Sequence, residues 1–123
     1  MTPPSYVFLY AESPAASGRF YADLLGQPPV EAGDDFVLFV LSSGMRIGLW
    51  ARGGVKPAPT AAGGGTEIGF SVESAEAVDA VHQDWAARGI PILFPPTTLP
   101  FGRSFVATDP DGHRLRVYAL AQS

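Results

Sequence analysis

The sequence predicts a mixed α and β fold in which two β-α-β-β-β modules make up a single domain. Three observations carry this. Gly and Pro supply 14 and 12 of the 123 residues, so turns are frequent and helices few and short. Runs of β-branched and aromatic residues alternate with only two stretches of helical period. The two halves also align with each other: YVFLYAES at 6–13 matches EIGFSVES at 67–74, and SSGMRIGLW at 42–50 matches PDGHRLRVY at 110–118.

Residues 6–10 (YVFLY) read as a strand, followed by Ser13 as a helix cap and Pro14 at the first helical position. Phe20, Leu24 and Leu25 recur at helical spacing over 15–25, and Gly26 ends that helix. A short strand is expected near Val30. Residues 36–41 and 45–50 flank Ser42-Ser43-Gly44 as a hairpin. Residues 56–65 (KPAPTAAGGG) have no apolar period and read as a connection, which sets the first module at about 5–53, the linker at 54–65 and the second module at 66–120. In the second module 67–72 read as a strand, Ser74 as a cap, and Val78, Val81 and Trp85 as the buried stripe of a helix closing at Gly89. Strands at 90–94, 103–108 and 114–119 complete it, the last two joined by Asp109, Pro110, Asp111 and Gly112.

Eight Lys and Arg against twelve Asp and Glu give a net charge of −4. With no basic block, nucleic acid is not an expected partner. The absence of Cys excludes disulfides, thiolate nucleophiles and cysteine metal sites. No segment approaches the ~20 apolar residues of a membrane span, so the expectation is a cytoplasmic protein without a membrane partner. The glycines at 63–65 lie in the linker and make no phosphate loop.

Alternation along each strand separates two faces. Val7 with Leu9, Ile47 with Leu49, Ile68 with Phe70, and Leu115 with Val117 form the apolar sets that should meet the helices. The opposite faces carry Tyr6, Phe8 and Tyr10; Arg46, Gly48 and Trp50; Glu67, Gly69 and Ser71; and Arg114, Arg116 and Tyr118. A simple turn at 109–112 pairs Ala107 with Arg114, Phe105 with Arg116 and Arg103 with Tyr118, which adds Arg103 and Phe105 to this second face. Its mixture of rings and charges suits a small-molecule pocket. The candidate ligand-binding residues are therefore Tyr6, Phe8, Arg46, Trp50, Glu67, Arg103, Phe105, Arg116 and Tyr118.

The strand-Glu-Ser-helix opening, the FYADLLG run at 20–26 and the FVATDPDGHRLRVY ending at 105–118 resemble the vicinal oxygen chelate superfamily, which includes glyoxalase I, extradiol dioxygenases and bleomycin-resistance proteins. The resemblance implies an α+β fold of the glyoxalase/bleomycin-resistance type, its two modules forming a cupped mixed sheet commonly completed in a homodimer. Metal-dependent members place ligands on the first and fourth strands of each module, and those positions hold Tyr6, Gly48, Glu67 and Arg116 here. Glycine offers no ligand and arginine repels a cation, so the expectation is no metal and no cofactor. A salt bridge between Glu67 and Arg116 is the simplest replacement for the ion, and its loss would cost about 3 to 5 kcal/mol if fully buried. His82 and His113 fall outside this face. The function implied is metal-independent binding of a small aromatic or planar molecule, as in antibiotic-sequestering resistance proteins of the bleomycin and mitomycin type. The alternative is a lyase, isomerase or dioxygenase, metal-dependent or using Glu67 as a catalytic base with Tyr6 as an acid.

Overall fold

Two serines begin the two helices in the same way. Ser13 Oγ accepts the N–H of Ala16 at 3.2 Å and starts α1 (Pro14–Leu25), while Ser74 Oγ accepts that of Ala77 at 3.1 Å and starts α2 (Ala75–Ala87). In the computed structural model, which describes residues 1–121, the strands are β1 (Tyr6–Ala11), β2 (Glu31–Ala32), β3 (Phe36–Val40), β4 (Arg46–Ala51), β5 (Glu67–Ser71), β6 (Ile92–Leu99), β7 (Gly102–Thr108) and β8 (Arg114–Leu120). The chain divides into two compact units, Met1–Ala62 and the residues from Gly63 onward.

Each unit is a mixed four-stranded sheet with one helix. The first has the order β1-β4-β3-β2, with β1 parallel to β4 and the other pairs antiparallel. The second has the order β5-β8-β7-β6, again with its first pair parallel. The β-α-β-β-β pattern is thus present twice. No helix among the described residues is long and apolar enough to cross a membrane.

The first unit's core forms from Leu9, Val37, Phe39, Ile47 and Leu49, all buried, with Tyr21 of α1 fully covered. In the second, Trp85 of α2 meets Phe70 edge-on at 5.8 Å and Phe105 at 5.4 Å, over buried Leu115 and Val117. The aliphatic strand sets therefore lie on the helix side, as alternation requires. Strand β6 extends well past residue 94 and carries Pro95 and Pro96 between register shifts. Proline cannot donate to a ladder, and β6 is an edge strand where that donor is dispensable.

The hairpin between β7 and β8 corrects two expectations. Asp109 N–H donates to His113 O, leaving a three-residue loop of Pro110, Asp111 and Gly112, with Gly112 at φ 83°. The Asp109 carboxylate Oδ1 accepts the N–H groups of Asp111 and His113, both at 2.9 Å, and holds that geometry. The hairpin between β3 and β4 closes in the same way, with Leu41 N–H donating to Met45 O and Gly44 at φ 92°.

One loop residue fewer than a four-residue turn shifts the register by one. Phe105 now faces Val117, Ala107 faces Leu115 and Arg103 faces Ala119. Phe105 is consequently fully buried against His82 and Trp85 of α2, not on the pocket face. Arg103 also turns to the helix side, where its Nε donates to Asp79 Oδ1 of α2 at 2.8 Å. Ser104 and Val106 occupy the face expected for Arg103 and Phe105, opposite Tyr118 and Arg116.

This placement makes Phe105→Ala a core truncation. It should lower unfolding free energy by about 3 to 5 kcal/mol in urea denaturation. A loss under about 1 kcal/mol would mean that the ring stands on the open face.

Candidate functional site

In the first unit the face away from α1 carries a shelf of aromatic rings. The parallel pairing of β1 with β4 sets Tyr6 beside Arg46, Phe8 beside Gly48 and Tyr10 beside Trp50, and β3 sets Phe36 opposite Trp50. The rings of Tyr6 and Phe8 stack with centroids 5.0 Å apart and planes 8° from parallel. Trp50 meets Phe8 at 6.0 Å and Tyr10 at 6.4 Å, both edge-on, while Phe8 and Phe36 are 6.4 Å apart. Arg46 lies over the Tyr6 ring at 5.6 Å, a cation–π arrangement.

Gly48 makes room for this cluster. A Cβ there would lie 2.8 Å from Phe36 Cζ and 3.0 Å from Phe8 Cδ1, so the absent side chain lets both rings settle over the strand. Tyr6 and Phe8 nevertheless remain 40% and 48% exposed. The shelf is preformed and open, which suits stacking against a planar molecule.

In the second unit the equivalent face is polar at its centre. Arg116 Nε donates to Glu67 Oε1 at 2.6 Å, and its Nη1 donates to Ser104 Oγ at 2.9 Å. The guanidinium is thus held by a carboxylate on β5 and a hydroxyl on β7. The Arg116 and Glu67 side chains are 22% and 37% exposed, so the pair is only partly desolvated. Beside it, Leu93, Phe94, Leu99 and Val106 line an open concavity of about 310 Å³ together with Arg114 and Arg116. Tyr118 covers Gly69, its Cε1 lying 3.2 Å from where a Cβ would stand.

Of the residues singled out in the sequence, Tyr6, Phe8, Arg46 and Trp50 gather on the first unit's open face, and Glu67, Arg116 and Tyr118 on the second's. Arg103 and Phe105 lie on the opposite, helix-bearing face. Phe36, Ser104 and Val106 were missed. Phe36 could have been found by carrying the parity of the Ser42-Ser43-Gly44 loop into β3, and Ser104 and Val106 by the same count across Pro110-Asp111-Gly112.

The positions that hold a metal in metal-dependent relatives do not fit one here. In the first unit they are Tyr6 and Gly48, and in the second Glu67 and Arg116, the carboxylate already engaged by the guanidinium. One anion paired with one cation has no net charge to offer a divalent ion. Among the described residues no group of three or more His, Cys, Asp or Glu could hold a metal. His82 packs edge-on against Phe105 at 5.3 Å, and the His113 backbone is tied into the β7–β8 loop.

Comparisons with known proteins agree with the fold. The model of the Glyoxalase/Bleomycin resistance protein/Dioxygenase superfamily matches residues 4–117. The chain is similar to the phenazine antibiotic resistance protein EhpR of Enterobacter agglomerans, with 30% identity over 120 residues that cover 95% of this chain and 92% of that one. Among solved structures, a protein of Agrobacterium tumefaciens determined by NMR in solution is 48% identical, with a TM-score of 0.91 over 99% of this chain and all of the other. A glyoxalase/bleomycin resistance protein/dioxygenase from Nocardioides gives a TM-score of 0.84 at 23% identity, covering 100% of this chain and 87% of its own, a likeness of fold alone.

Partial exposure lowers the expected cost of breaking the ion pair below that of a fully buried one. Arg116→Ala should reduce stability by about 1 kcal/mol in chemical denaturation, with the difference shrinking in high salt. A salt-insensitive loss of about 3 kcal/mol or more would show a desolvated pair instead.

Proposed function

The chain belongs to the Glyoxalase/Bleomycin resistance protein/Dioxygenase superfamily, and from that premise we propose that it binds a small planar aromatic compound without a metal, as a sequestering resistance protein. The observation that carries this reading is the aromatic shelf on the first unit, where stacked rings stay half exposed over a glycine that leaves them room. The similarity to a phenazine antibiotic resistance protein supports it, since a phenazine is a flat fused-ring compound that stacking side chains would hold. Each stacked ring adds on the order of 1 kcal/mol beyond area burial, so two or three side chains are enough for selective binding.

The donor set supports metal independence. Tyr6 and Gly48 on one unit offer a cation little, and on the other Glu67 is already engaged by Arg116. On the first unit Arg46 stands beside the shelf as the polar group that orients a ligand there; on the second unit's own face that kind of group is Arg116, held by Glu67 and Ser104.

A homodimer contact through the same shelf is the second reading, favoured by the 48% exposure of Phe8. Sedimentation distinguishes it: Phe8→Asp dissociates a dimer held by these rings, and phenazine then leaves the wild-type fluorescence unchanged.

Titration of wild-type protein with phenazine should quench Trp50 emission saturably, with the same curve in the presence of EDTA. Phe8→Ala should weaken binding about fivefold or more, and Trp50→Phe should abolish most of the signal, since Trp85 is buried against Phe70 and Phe105. A flat titration confirmed by calorimetry, or binding lost to EDTA and restored by a divalent metal, would overturn the proposal.

A further inference from the structure

The chain carries a net charge of −4, yet the open face of its second unit is positive. Along β8 that face presents Arg114 and Arg116, and along β5 only Glu67. Both arginines are neighbours of the one carboxylate: Glu67 pairs with Arg114 in backbone register, while its side chain is engaged by Arg116. Among the described residues no acidic side chain pairs with Arg114. The face therefore holds one uncompensated positive charge. The other arginine of this unit's sheet, Arg103, is neutralised by Asp79 on the helix side, and Arg88 by Asp84 on α2.

An exposed arginine alone means little. Arg114, however, does not stand on an open polar surface: it lines the concavity of about 310 Å³ whose other walls are Leu93, Phe94, Leu99 and Val106. That volume is at the small end of small-molecule sites, and its composition, mostly apolar with two convergent guanidinium groups, is typical of them. Arg116 is oriented by Glu67 and Ser104 through Nε and Nη1, which leaves Nη2 available as a donor.

We infer that this concavity takes the carboxylate-bearing end of a planar, otherwise apolar molecule, Arg114 supplying the compensating charge and Arg116 a fixed hydrogen-bond donor. The ligand class is thus an aromatic monocarboxylate. A guanidinium matches a carboxylate with two parallel N–H donors. A single excess charge among four apolar side chains suits a monoanion, whereas a phosphate dianion would leave charge unbalanced in an apolar wall. This rests on the proposed binding of planar aromatics and adds, from the second unit's own concavity, the ionic character of what that concavity takes.

The test compares phenazine-1-carboxylate with uncharged phenazine by calorimetry, on wild-type protein and on Arg114→Gln, an exposed position where the fold should be retained as judged by circular dichroism. The wild type should bind the carboxylate at least tenfold more tightly than phenazine at low salt. That ratio should fall to about two or less in Arg114→Gln, and it should shrink in the wild type as salt is raised. Equal affinity of the wild type for both compounds would overturn the carboxylate inference and leave aromatic binding standing. A ratio that survives in Arg114→Gln would overturn the role of Arg114. Failure of both compounds to bind would overturn the underlying proposal, and this inference with it.

Discussion

Each four-stranded sheet has one face committed to a helix, and that commitment decides what the other face can carry. In a pleated strand, neighbouring side chains point to opposite sides. Once Leu9, Ile47 and Leu49 are buried in the first unit, and Leu115, Val117 and Phe105 in the second, the residues between them have no choice of side. Tyr6, Phe8, Arg46 and Trp50, and Glu67, Arg116, Ser104 and Tyr118, share their respective open faces for this reason.

The two modules use one architecture for different surface chemistry. Both open with a strand running into a serine-capped helix, and both close their last hairpin with a three-residue loop ending in a left-handed glycine. At the same point of the fourth strand one module has Gly48 and the other Arg116. Glycine there admits two phenyl rings over the backbone, and arginine instead crosses to a carboxylate and a hydroxyl on neighbouring strands. The scaffold is the same in both units because helix burial demands the same apolar positions in each, while the open faces are under no such demand and differ.

The Glu67–Arg116 pair also shows how a family position can change its use. A carboxylate and a guanidinium at 2.6 Å satisfy each other, so the pair presents polarity with no net charge. Its partial exposure limits what it contributes to stability and leaves it accessible to a ligand. The first unit's open face thus carries aromatic rings and the second unit's an ordered guanidinium, two different surface chemistries on one architecture.

Read alone, the amino-acid order determined the element sequence, both helix caps, the internal duplication and the facing of β1, β4, β5 and β8, because serine caps, glycine stops and period-two alternation are local properties. The pairing of Glu67 with Arg116 was also legible, through the resemblance that places both at the same centre. The facing of β7 was not, since it depends on whether the β7–β8 loop holds three residues or four, and the Asp109 carboxylate decides this by binding two loop N–H groups. That one-residue difference sent Phe105 and Arg103 to α2 and brought Ser104 and Val106 to the open face. Strand register is a relation between two segments, fixed only when the turn closes and the helix selects which side it will cover.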